Sequence, residues 1–330
     1  MEGLKRMEWE ERLNMHFRRD ERAEGPVLHL QCRDEVPFLT FPKLEACDDV
    51  EHLFSTRAGG VSTGQFSTMN FSVKLGDQRE NVTENYRRVA GLMHGRVEDI
   101  TGTVQTHTTN IRTVSEADRG KVAWISADYD NVDGLVTNTR GIILAAFTAD
   151  CVPIYFVDPV KKAIGLAHSG WRGTVANMAG KMVERMQTAF GTDPKDLIAA
   201  IGPSICQSCY EVDETVAKAF REAIGEDEKD RTDILESGIY SMRGKEGLRQ
   251  ILEEGKESGK YQLDLWLTNL ILLKRAGVKL ENVDVTDLCT AHNADLLFSH
   301  RASCGKRGNM GAFLKLKDWE RDEHDTDFGL

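Results

Sequence analysis

The chain has 330 residues, of which 40% are hydrophobic and 29% are charged, a composition typical of a soluble globular protein with enough apolar material for a sizeable core. Its 42 basic and 53 acidic residues give a formal net charge of -11, so no global basic field is present to attract a phosphate backbone. This charge argues against nucleic-acid binding as the main role, and a small anionic substrate would need a local cluster of arginines or backbone amides.

The first 25 residues predict a polar helix or a frayed extension, because they carry charges throughout and lack the apolar core of a signal peptide. No later apolar run approaches the length of a membrane span, so we predict a cytoplasmic protein with no membrane partner. Seven cysteines, an odd number scattered along the chain, favour reduced thiols over a disulfide framework.

Alternating and continuous apolar runs predict short strands, and apolar residues at helical spacing predict helices. The predicted strands cover residues 27–30, 36–42, 52–54, 102–107, 133–137, 142–147, 163–167, 197–201, 283–285 and 312–316. The predicted helices cover residues 80–93, 174–190, 212–224 and 263–276, and the charged segment 226–260 is predicted to be a long variable excursion. The spacing is too irregular for a doubly wound sheet and no GxGxxG or P-loop motif occurs, so the predicted fold class is α+β, with mixed β-sheets and flanking helices.

The loop at residues 55–62 contains Arg57 followed by Gly59 and Gly60. Paired glycines allow backbone conformations that are closed to other residues, so this loop could approach a ligand closely and hold Arg57 over it. An ordinary surface turn explains the same residues equally well.

The densest chemical segment is 141–174, where polar residues follow two apolar runs. The first run ends at Asp150 and Cys151, the second ends at His168, and Gly170 then begins a turn into the next helix. Strand ends are where a rigid sheet presents reactive side chains, and a helix N-terminus can bind an anion.

Two chemistries fit the cysteine and the histidine of this segment. With His107, which ends the predicted strand 102–107, Cys151 and His168 could form a three-ligand zinc site with an open fourth position. Alternatively, Cys151 is a nucleophile, His168 is its base, and Asp150 or His107 orients the imidazole. Cys151 could also be a small core residue, which the neighbouring Asp150 disfavours.

Two related chemistries are disfavoured by missing residues. Zinc nucleobase deaminases carry H-x-E and P-C-x-x-C signatures, but no H-x-E occurs here and Pro203 lies three residues before Cys206. A laccase-type electron relay needs several copper centres, and only nine histidines are present. Cys206-Gln207-Ser208-Cys209 is a lone Cys-x-x-Cys pair, for which a structural interpretation is favoured over redox or zinc chemistry.

Several long motifs resemble those of the YfiH/laccase-domain family, in consistent order from about residue 37 to residue 316. They are Ser55-Thr56-Arg57-Ala58-Gly59-Gly60-Val61-Ser62, Gln105-Thr106-His107, Asp133-Gly134-Leu135-Val136-Thr137, Thr148-Ala149-Asp150-Cys151-Val152-Pro153, Ala167-His168-Ser169-Gly170-Trp171-Arg172-Gly173, Ile201-Gly202-Pro203, Cys209-Tyr210-Glu211-Val212 and Phe298-Ser299-His300-Arg301. Members have been called polyphenol oxidases, peptidoglycan editing factors and purine nucleoside phosphorylases. Cys206, His300 and Ser169 depart from the family pattern, and none of these departures removes a proposed metal ligand.

The resemblance implies a fold related to the cytotoxic-necrotizing-factor deamidases, with an N-terminal extension at 1–36, a single catalytic domain at 37–318 and a polar tail at 319–330. It implies a zinc site, with copper as an alternative metal, formed by His107, Cys151 and His168. It also implies phosphorolysis of adenosine, inosine, guanosine and methylthioadenosine, together with deamination of adenosine. The implied partners are a purine nucleoside and phosphate, and the sequence indicates no oligomeric state.

For such an enzyme, Asp150 or Asp133 is predicted to move protons. Arg57, Arg172 and Arg301, with the backbone amides from Gly170 onward, are predicted to bind phosphate and substrate, although surface ion pairs would explain these arginines as well. Rival functions are a Cys-His amidase that edits a peptidoglycan precursor, a copper-dependent polyphenol oxidase and a non-enzymatic module that holds a metal.

Overall fold

A computed structural model describes residues 27–225, 228–240, 243–244 and 247–318 of the chain. Its strands are β1 (His29–Arg33), β2 (Val36–Thr40), β3 (Val50–Ser55), β4 (Ile100–Gly102), β5 (Ile111–Thr113), β6 (Gly134–Thr137), β7 (Ile143–Thr148), β8 (Val152–Asp158), β9 (Ala163–Ser169), β10 (Ile198–Ile201), β11 (Glu211–Asp213), β12 (Arg243–Gly244), β13 (Gly247–Leu248), β14 (Leu252–Glu254), β15 (Lys260–Leu263), β16 (Val283–Val285) and β17 (Met310–Leu316). Its α-helices are α1 (Pro42–Glu45), α2 (Arg79–Leu92), α3 (Trp171–Val175), α4 (Met178–Phe190), α5 (Glu214–Ala223), α6 (Glu228–Ser237) and α7 (Leu265–Arg275).

Two six-stranded mixed sheets dominate the described residues. The first has the order β1-β2-β3-β17-β7-β4 and the second has the order β16-β10-β8-β9-β6-β5. Each sheet combines antiparallel pairs with parallel ones, such as β4 with β7 and β5 with β6. The predicted α+β class with mixed sheets and flanking helices is therefore confirmed.

The two sheets pack face to face, and helices cover their outer faces. Successive side chains of β7 show the layering, since Leu144 and Ala146 belong to the core between the sheets while Ala145 and Phe147 pack on the outer side towards α2. Because both faces of both sheets are covered, the strands are nearly continuous apolar runs, and alternation is a poor guide to them.

Helices α4 and α7 cover the outer face of the second sheet. Met178, Met182 and Met186 of α4 are fully buried in the same core cluster as α7, so these methionines form a packing face. Asp213 caps α5 by accepting a hydrogen bond from the backbone of Val216 at 3.1 Å.

The structure differs from several of the sequence-based element predictions. Residues 152–158 form β8, which was not predicted, and residues 103–107 leave the sheet instead of extending it to His107. The predicted helix 174–190 is broken at Asn177, which has left-handed dihedral angles and whose side chain accepts a hydrogen bond from Gly180 at the start of α4.

The predicted excursion at 226–260 contains α6, the hairpin β12-β13 and β14 among its described residues. Residues 1–26 and the tail 319–330 lie outside the described residues, so the domain boundaries stay predictions. Within the described part of the chain, no helix has the length and apolar character needed to cross a membrane.

A buried lysine lies on the outer face of the first sheet. Lys315 of β17 is 1% exposed, and its Nζ contacts Glu51 at 2.9 Å and donates a hydrogen bond to the carbonyl oxygen of Met93 at 2.7 Å. We expect Lys315→Met to lower the free energy of unfolding by about 3 kcal/mol, because Glu51 loses its ammonium partner in a buried setting. Chemical denaturation measures this change.

Lys218→Met is the matched control for the buried lysine. Lys218 pairs with Glu222 at 3.8 Å on the surface, where both side chains are 68% exposed. This variant should change the free energy of unfolding by less than about 1 kcal/mol. Equal effects of the two substitutions would contradict the assignment of Lys315 as a buried ion-pair partner.

Candidate metal centre

Neighbouring strands of the second sheet bring Cys151 and His168 together. Cys151 directly precedes β8, and His168 lies near the end of β9. The antiparallel pairing of β8 with β9 places Pro153 opposite His168. Two residues that are 17 positions apart in sequence therefore lie side by side at one end of the sheet.

His107 reaches the same place on a loop, not on a strand end. Its φ is 66°, and the backbone N–H groups of Thr106, His107 and Thr108 all donate to the carboxylate of Asp133, at 3.0, 3.1 and 3.0 Å. Three amides converging on one buried carboxylate fix the loop in a conformation that the residue itself would seldom adopt.

Asp133 also holds the second histidine. Its Oδ1 lies 2.8 Å from Nδ1 of His168, and its side chain is fully buried. A carboxylate at Nδ1 fixes that nitrogen as the N–H donor and leaves Nε2 as a ligand atom, which is the usual arrangement behind a metal-bound histidine. One aspartate thus orients both His107 and His168.

The three side chains form a compact donor set. Ligand atoms of His107, Cys151 and His168 all lie within 4.8 Å of one another, and the two imidazole rings are 5.0 Å apart between centroids with an interplanar angle of 78°. His168 is buried, Cys151 is half-buried and His107 is exposed. Two imidazole nitrogens and one thiolate, open to solvent on one side, fit a zinc site with three protein ligands and a free position.

Charge also favours a thiolate at this position. Burial alone would raise the pKa of Cys151, but the adjacent His168 and His107 lower it to about 6. Burial likewise opposes protonation of His168, whereas the Cys151 thiolate and Asp133 raise the pKa of this histidine to about 9. The thiolate form is the one that binds a metal and also the one that attacks as a nucleophile, so this property serves both chemistries.

Asp150 is adjacent to Cys151 and is held by two loops. Its φ is 94°, its Oδ1 accepts a 2.6 Å hydrogen bond from the hydroxyl of Thr290, and its Oδ2 accepts a 2.7 Å hydrogen bond from the backbone of Arg301. Its backbone carbonyl accepts a bond from Ile205 at 3.0 Å. Asp150 therefore links the end of β7 to the segments that surround the donor set.

The predicted arginines occupy different settings. The guanidinium of Arg301 lies 5.3 Å from the centre of the Tyr210 ring and donates to the carbonyl oxygen of Glu211 at 3.0 Å. The backbone of Arg301 donates to Asp150 beside Cys151, and Arg172 follows Gly170, which lies against Cys151, so both arginines belong to segments around the donor set. Arg57 instead donates to the carbonyl oxygen of Ala294 at 2.7 Å and, through Nε, to that of Ser67 at 3.0 Å.

Arg307 was missed by the sequence analysis. Burial lowers the pKa of its guanidinium, and the neighbouring charges of Cys151 and Asp150 partly oppose this shift. Its Nε is buried and has no hydrogen-bond partner among the described residues. The only sequence signal was a basic residue in the glycine-rich turn at 305–309, which indicates a flexible turn as readily as a binding site.

Gly170 lies directly against the ligands. A Cβ added at this residue would lie 2.9 Å from Sγ of Cys151 and 3.0 Å from Cδ2 of His107. We expect Gly170→Ala to weaken metal binding at least about tenfold, because the methyl group displaces two ligand side chains. Competition with a metal-binding dye measures the affinity.

Gly173→Ala is the matched control, since an added Cβ there meets its nearest neighbours at 3.6 Å, an ordinary contact. Metal affinity should stay near that of the unmodified chain in this variant. Unchanged affinity in Gly170→Ala would contradict the placement of the metal between Cys151 and His107.

Comparison with known proteins identifies the family to which the chain belongs. The family model described as "Multi-copper polyphenol oxidoreductase laccase" matches residues 51–317. The chain belongs to this family, the YfiH/laccase-domain family. The chain is 36% identical over 267 residues to "Purine nucleoside phosphorylase YlmD" of Geobacillus stearothermophilus, which covers 80% of this chain and 90% of that protein.

A second relative and a crystal structure support the same family assignment. The chain is 33% identical over 269 residues to "Purine nucleoside phosphorylase YlmD" of Bacillus subtilis, covering 80% of this chain and 88% of the relative. The crystal structure of YlmD from Geobacillus stearothermophilus superposes with a TM-score of 0.76 at 33% identity, covering 89% of this chain and 100% of the other. The family predicted from the sequence motifs is therefore confirmed.

Proposed function

We propose that this protein is a zinc-dependent purine nucleoside phosphorylase that also deaminates adenosine. The observation that carries the proposal is the convergence of His107, Cys151 and His168, with Asp133 behind both histidines. The names of the relatives, "Purine nucleoside phosphorylase YlmD", support the substrate class, a purine nucleoside with phosphate as the second substrate. Within that class we propose adenosine, inosine, guanosine and methylthioadenosine, which the family resemblance implies. Copper is the alternative metal for the same donors.

His107, Cys151 and His168 would hold the zinc ion, which supplies Lewis-acid chemistry and acidifies water when bound. Asp133 keeps His168 in the tautomer with a free Nε2 and fixes the backbone on which His107 lies. Hydrogen bonds to His168 and to the surrounding amides oppose the effect of burial and hold the pKa of Asp133 at about 2. Asp133 therefore stays ionised and acts as a positioning residue.

Phosphorolysis needs a cationic pocket beside the ligands. A phosphate oxygen forms a bond to C1′ of the ribose, the bond from C1′ to N9 breaks, and the purine leaves with the electron pair and gains a proton. Arg172 and Arg301 belong to segments that contact Cys151 and Asp150, and the charges of Cys151 and Asp150 act on the buried Arg307, so we assign phosphate binding to these three guanidinium groups. Arg57 and the amide of Gly170 stay predicted contacts.

Proton transfer is assigned to Asp150 in preference to Asp133. Apart from the Thr108 hydroxyl, the partners of Asp133 are backbone amides and the ring of His168, which keep it ionised. One partner of Asp150 is the hydroxyl of Thr290, which can pass a proton as well as donate a hydrogen bond.

The test uses purified, zinc-loaded protein with inosine. We expect hypoxanthine and ribose 1-phosphate to form only when phosphate is present, and ammonia to form from adenosine in either case. Hypoxanthine formation at the same rate without phosphate would indicate a hydrolase instead. Protein with full zinc occupancy that yields neither hypoxanthine nor ammonia would contradict the purine assignment.

A second candidate function is a Cys-His amidase acting on a peptidoglycan precursor, which the lowered pKa of Cys151 and the raised pKa of His168 favour. Metal removal separates the two. We expect prolonged chelation to abolish phosphorolysis and added zinc to restore it. Metal-free protein with full amidase activity would contradict the zinc assignment, and phenol oxidation after copper loading would identify a polyphenol oxidase.

A further inference from the structure

A second group of possible metal-ligating side chains lies outside the candidate metal centre. The sequence analysis identified only two of its members, the Cys-x-x-Cys pair at 206–209. Cys206 and Cys209 flank a single 3-10 turn, Gln207–Cys209. Cys289 and His292 lie in the segment that follows β16, and one potential ligand atom of each of the four residues lies within 4.8 Å of the others. We call Cys206, Cys209, Cys289 and His292 the Cys3His cluster.

The distances in the cluster suit a tetrahedral zinc ion. Nδ1 of His292 lies 3.6 Å from Sγ of Cys206 and 3.7 Å from Sγ of Cys209. Zinc bonds of about 2.3 Å to sulfur and about 2.0 Å to nitrogen at tetrahedral angles separate the two ligand atoms by about 3.5 Å. These two nitrogen-to-sulfur distances are therefore already close to those of zinc ligands, and the sulfur of Cys289 lies within 4.8 Å of the other ligand atoms.

Neighbouring hydrogen-bond donors support the side chains of the Cys3His cluster. The backbone N–H of Cys206 points at Sγ of Cys289, with 3.3 Å between nitrogen and sulfur, which is the kind of bond that supports ligating sulfurs. The side chain of Gln207, which lies between the two cysteines, accepts a hydrogen bond from Arg249 at 2.8 Å, and the same guanidinium pairs with Asp264 at 2.9 Å. These contacts hold the Cys-x-x-Cys turn in place from outside the ligands.

We propose that the Cys3His cluster binds a structural zinc ion. All four ligands come from the protein, so the ion has no open position, and the spacings Cys-x-x-Cys and Cys-x-x-His are those of structural zinc sites. Cys206 and Cys289 are buried, and a set of buried thiols is stable as thiolates when it holds a metal.

The zinc ion would fasten together two segments that form part of the wall of the candidate metal centre. Ser204 pairs with Cys289, and the backbone N–H of Thr290 donates to the carbonyl oxygen of Ser204 at 3.1 Å. The hydroxyl of Thr290 in turn holds Asp150, which is adjacent to Cys151. The cluster therefore supports the position of Asp150 from a separate site.

Metal counting on tag-free protein tests the proposal. We expect two zinc ions per chain by elemental analysis and native mass spectrometry, and one in the variant His107→Ala/Cys151→Ser, which loses two ligands of the candidate metal centre. Adding Cys209→Ser or His292→Ala to that variant should remove the remaining ion. His292 is exposed and Cys209 is half-buried, so neither substitution disturbs the core.

Cobalt gives a second readout that depends on the ligands themselves. In His107→Ala/Cys151→Ser, added Co²⁺ should give sulfur-to-cobalt charge-transfer absorption and the visible bands of a tetrahedral site, since every sulfur ligand then comes from the Cys3His cluster. Adding Cys209→Ser should abolish this absorption, because the cluster then no longer holds the metal. Cys304→Ser, at an exposed cysteine outside the cluster, should leave the absorption unchanged.

Three results would overturn the proposal. The first is a His107→Ala/Cys151→Ser variant that folds but binds neither zinc nor cobalt. The second is metal binding that is unaffected by Cys209→Ser and by His292→Ala. The third is a protein mass two hydrogens lower than that of the reduced chain, with Cys206 and Cys209 joined as a disulfide. None of these readouts depends on phosphorolysis, so this proposal and the proposed function can fail separately.

Discussion

His107→Ala should lower kcat/KM for phosphorolysis of inosine by about a thousandfold or more. The imidazole is one of the three protein ligands that we propose for this metal centre, and a Lewis-acid metal supplies several kcal/mol of transition-state stabilisation, which corresponds to about that factor in rate. A Cys-His dyad does not need this residue as a ligand, so an amidase would lose far less. Steady-state kinetics together with metal content measures the effect.

His29→Ala is the control for this substitution. His29 is a half-buried histidine on β1 whose Nδ1 lies 2.8 Å from Oε2 of Glu45, and it contacts none of the three ligands. Its loss should leave both metal content and activity near those of the unmodified chain. Full activity in His107→Ala, with two zinc ions per chain still bound, would show that His107 is not a ligand.

Asp133→Asn should lower kcat/KM by about ten- to a hundredfold through weaker metal binding. In the unmodified protein the backbone N–H of His107 and the ring of His168 both face the Asp133 carboxylate. An asparagine amide would place its own N–H groups against one of these donors, and it would no longer favour the His168 tautomer with a free Nε2. Excess zinc should restore part of the activity in Asp133→Asn, because the three ligands are still present. Zinc should restore none in His107→Ala.

Asp118→Asn separates this effect from a loss of stability. Asp118 is also a buried carboxylate, and it accepts hydrogen bonds from Arg112 at 2.6 Å and from the backbone of Ser115 at 3.1 Å, away from the ligands. Its substitution should lower the free energy of unfolding by about 1–3 kcal/mol without changing metal affinity. Equal metal affinities in Asp133→Asn and Asp118→Asn would contradict the positioning role of Asp133.

The strands and the family could be predicted because their signals are local. Continuous apolar runs located β7, β9 and β17 to within a few residues, and the motifs around Arg57, Cys151 and His168 carried the resemblance. Apolar residues at helical spacing likewise located α5, whose Asp213 cap is a signal contained within four residues. Patterns that are contained within a few consecutive residues can be recognised without knowledge of the fold.

The part of the site that the sequence did not predict depends on partners far apart in the chain. Asp133 is predicted from its sequence to be a turn residue or an acid-base group, and only the fold shows that its carboxylate holds the His107 loop and His168 together. The same holds for the Cys-x-x-Cys pair at 206–209, whose partners Cys289 and His292 come about 80 residues later. Thr106 and His107 were misassigned to a strand for the same reason, since their amides donate to the carboxylate of Asp133.

The pattern of side chains alone did not decide between ligand and nucleophile. A cysteine beside a histidine is compatible with a metal site and with a nucleophile and its base, and so is the lowered pKa of Cys151. The geometry favours a metal, because a dyad needs one imidazole, whereas here two imidazoles lie close to the thiol and one carboxylate positions both. The exposure of His107 leaves one side of the donor set open to a substrate.

The most direct test of the central claim is to add zinc back to metal-stripped protein while hypoxanthine release from inosine is followed, with and without phosphate. We predict no release at zero zinc, and release that requires phosphate and rises with zinc until the His107, Cys151 and His168 site is filled. Full activity before zinc is added, or a filled site with no phosphate-dependent release, would contradict the account.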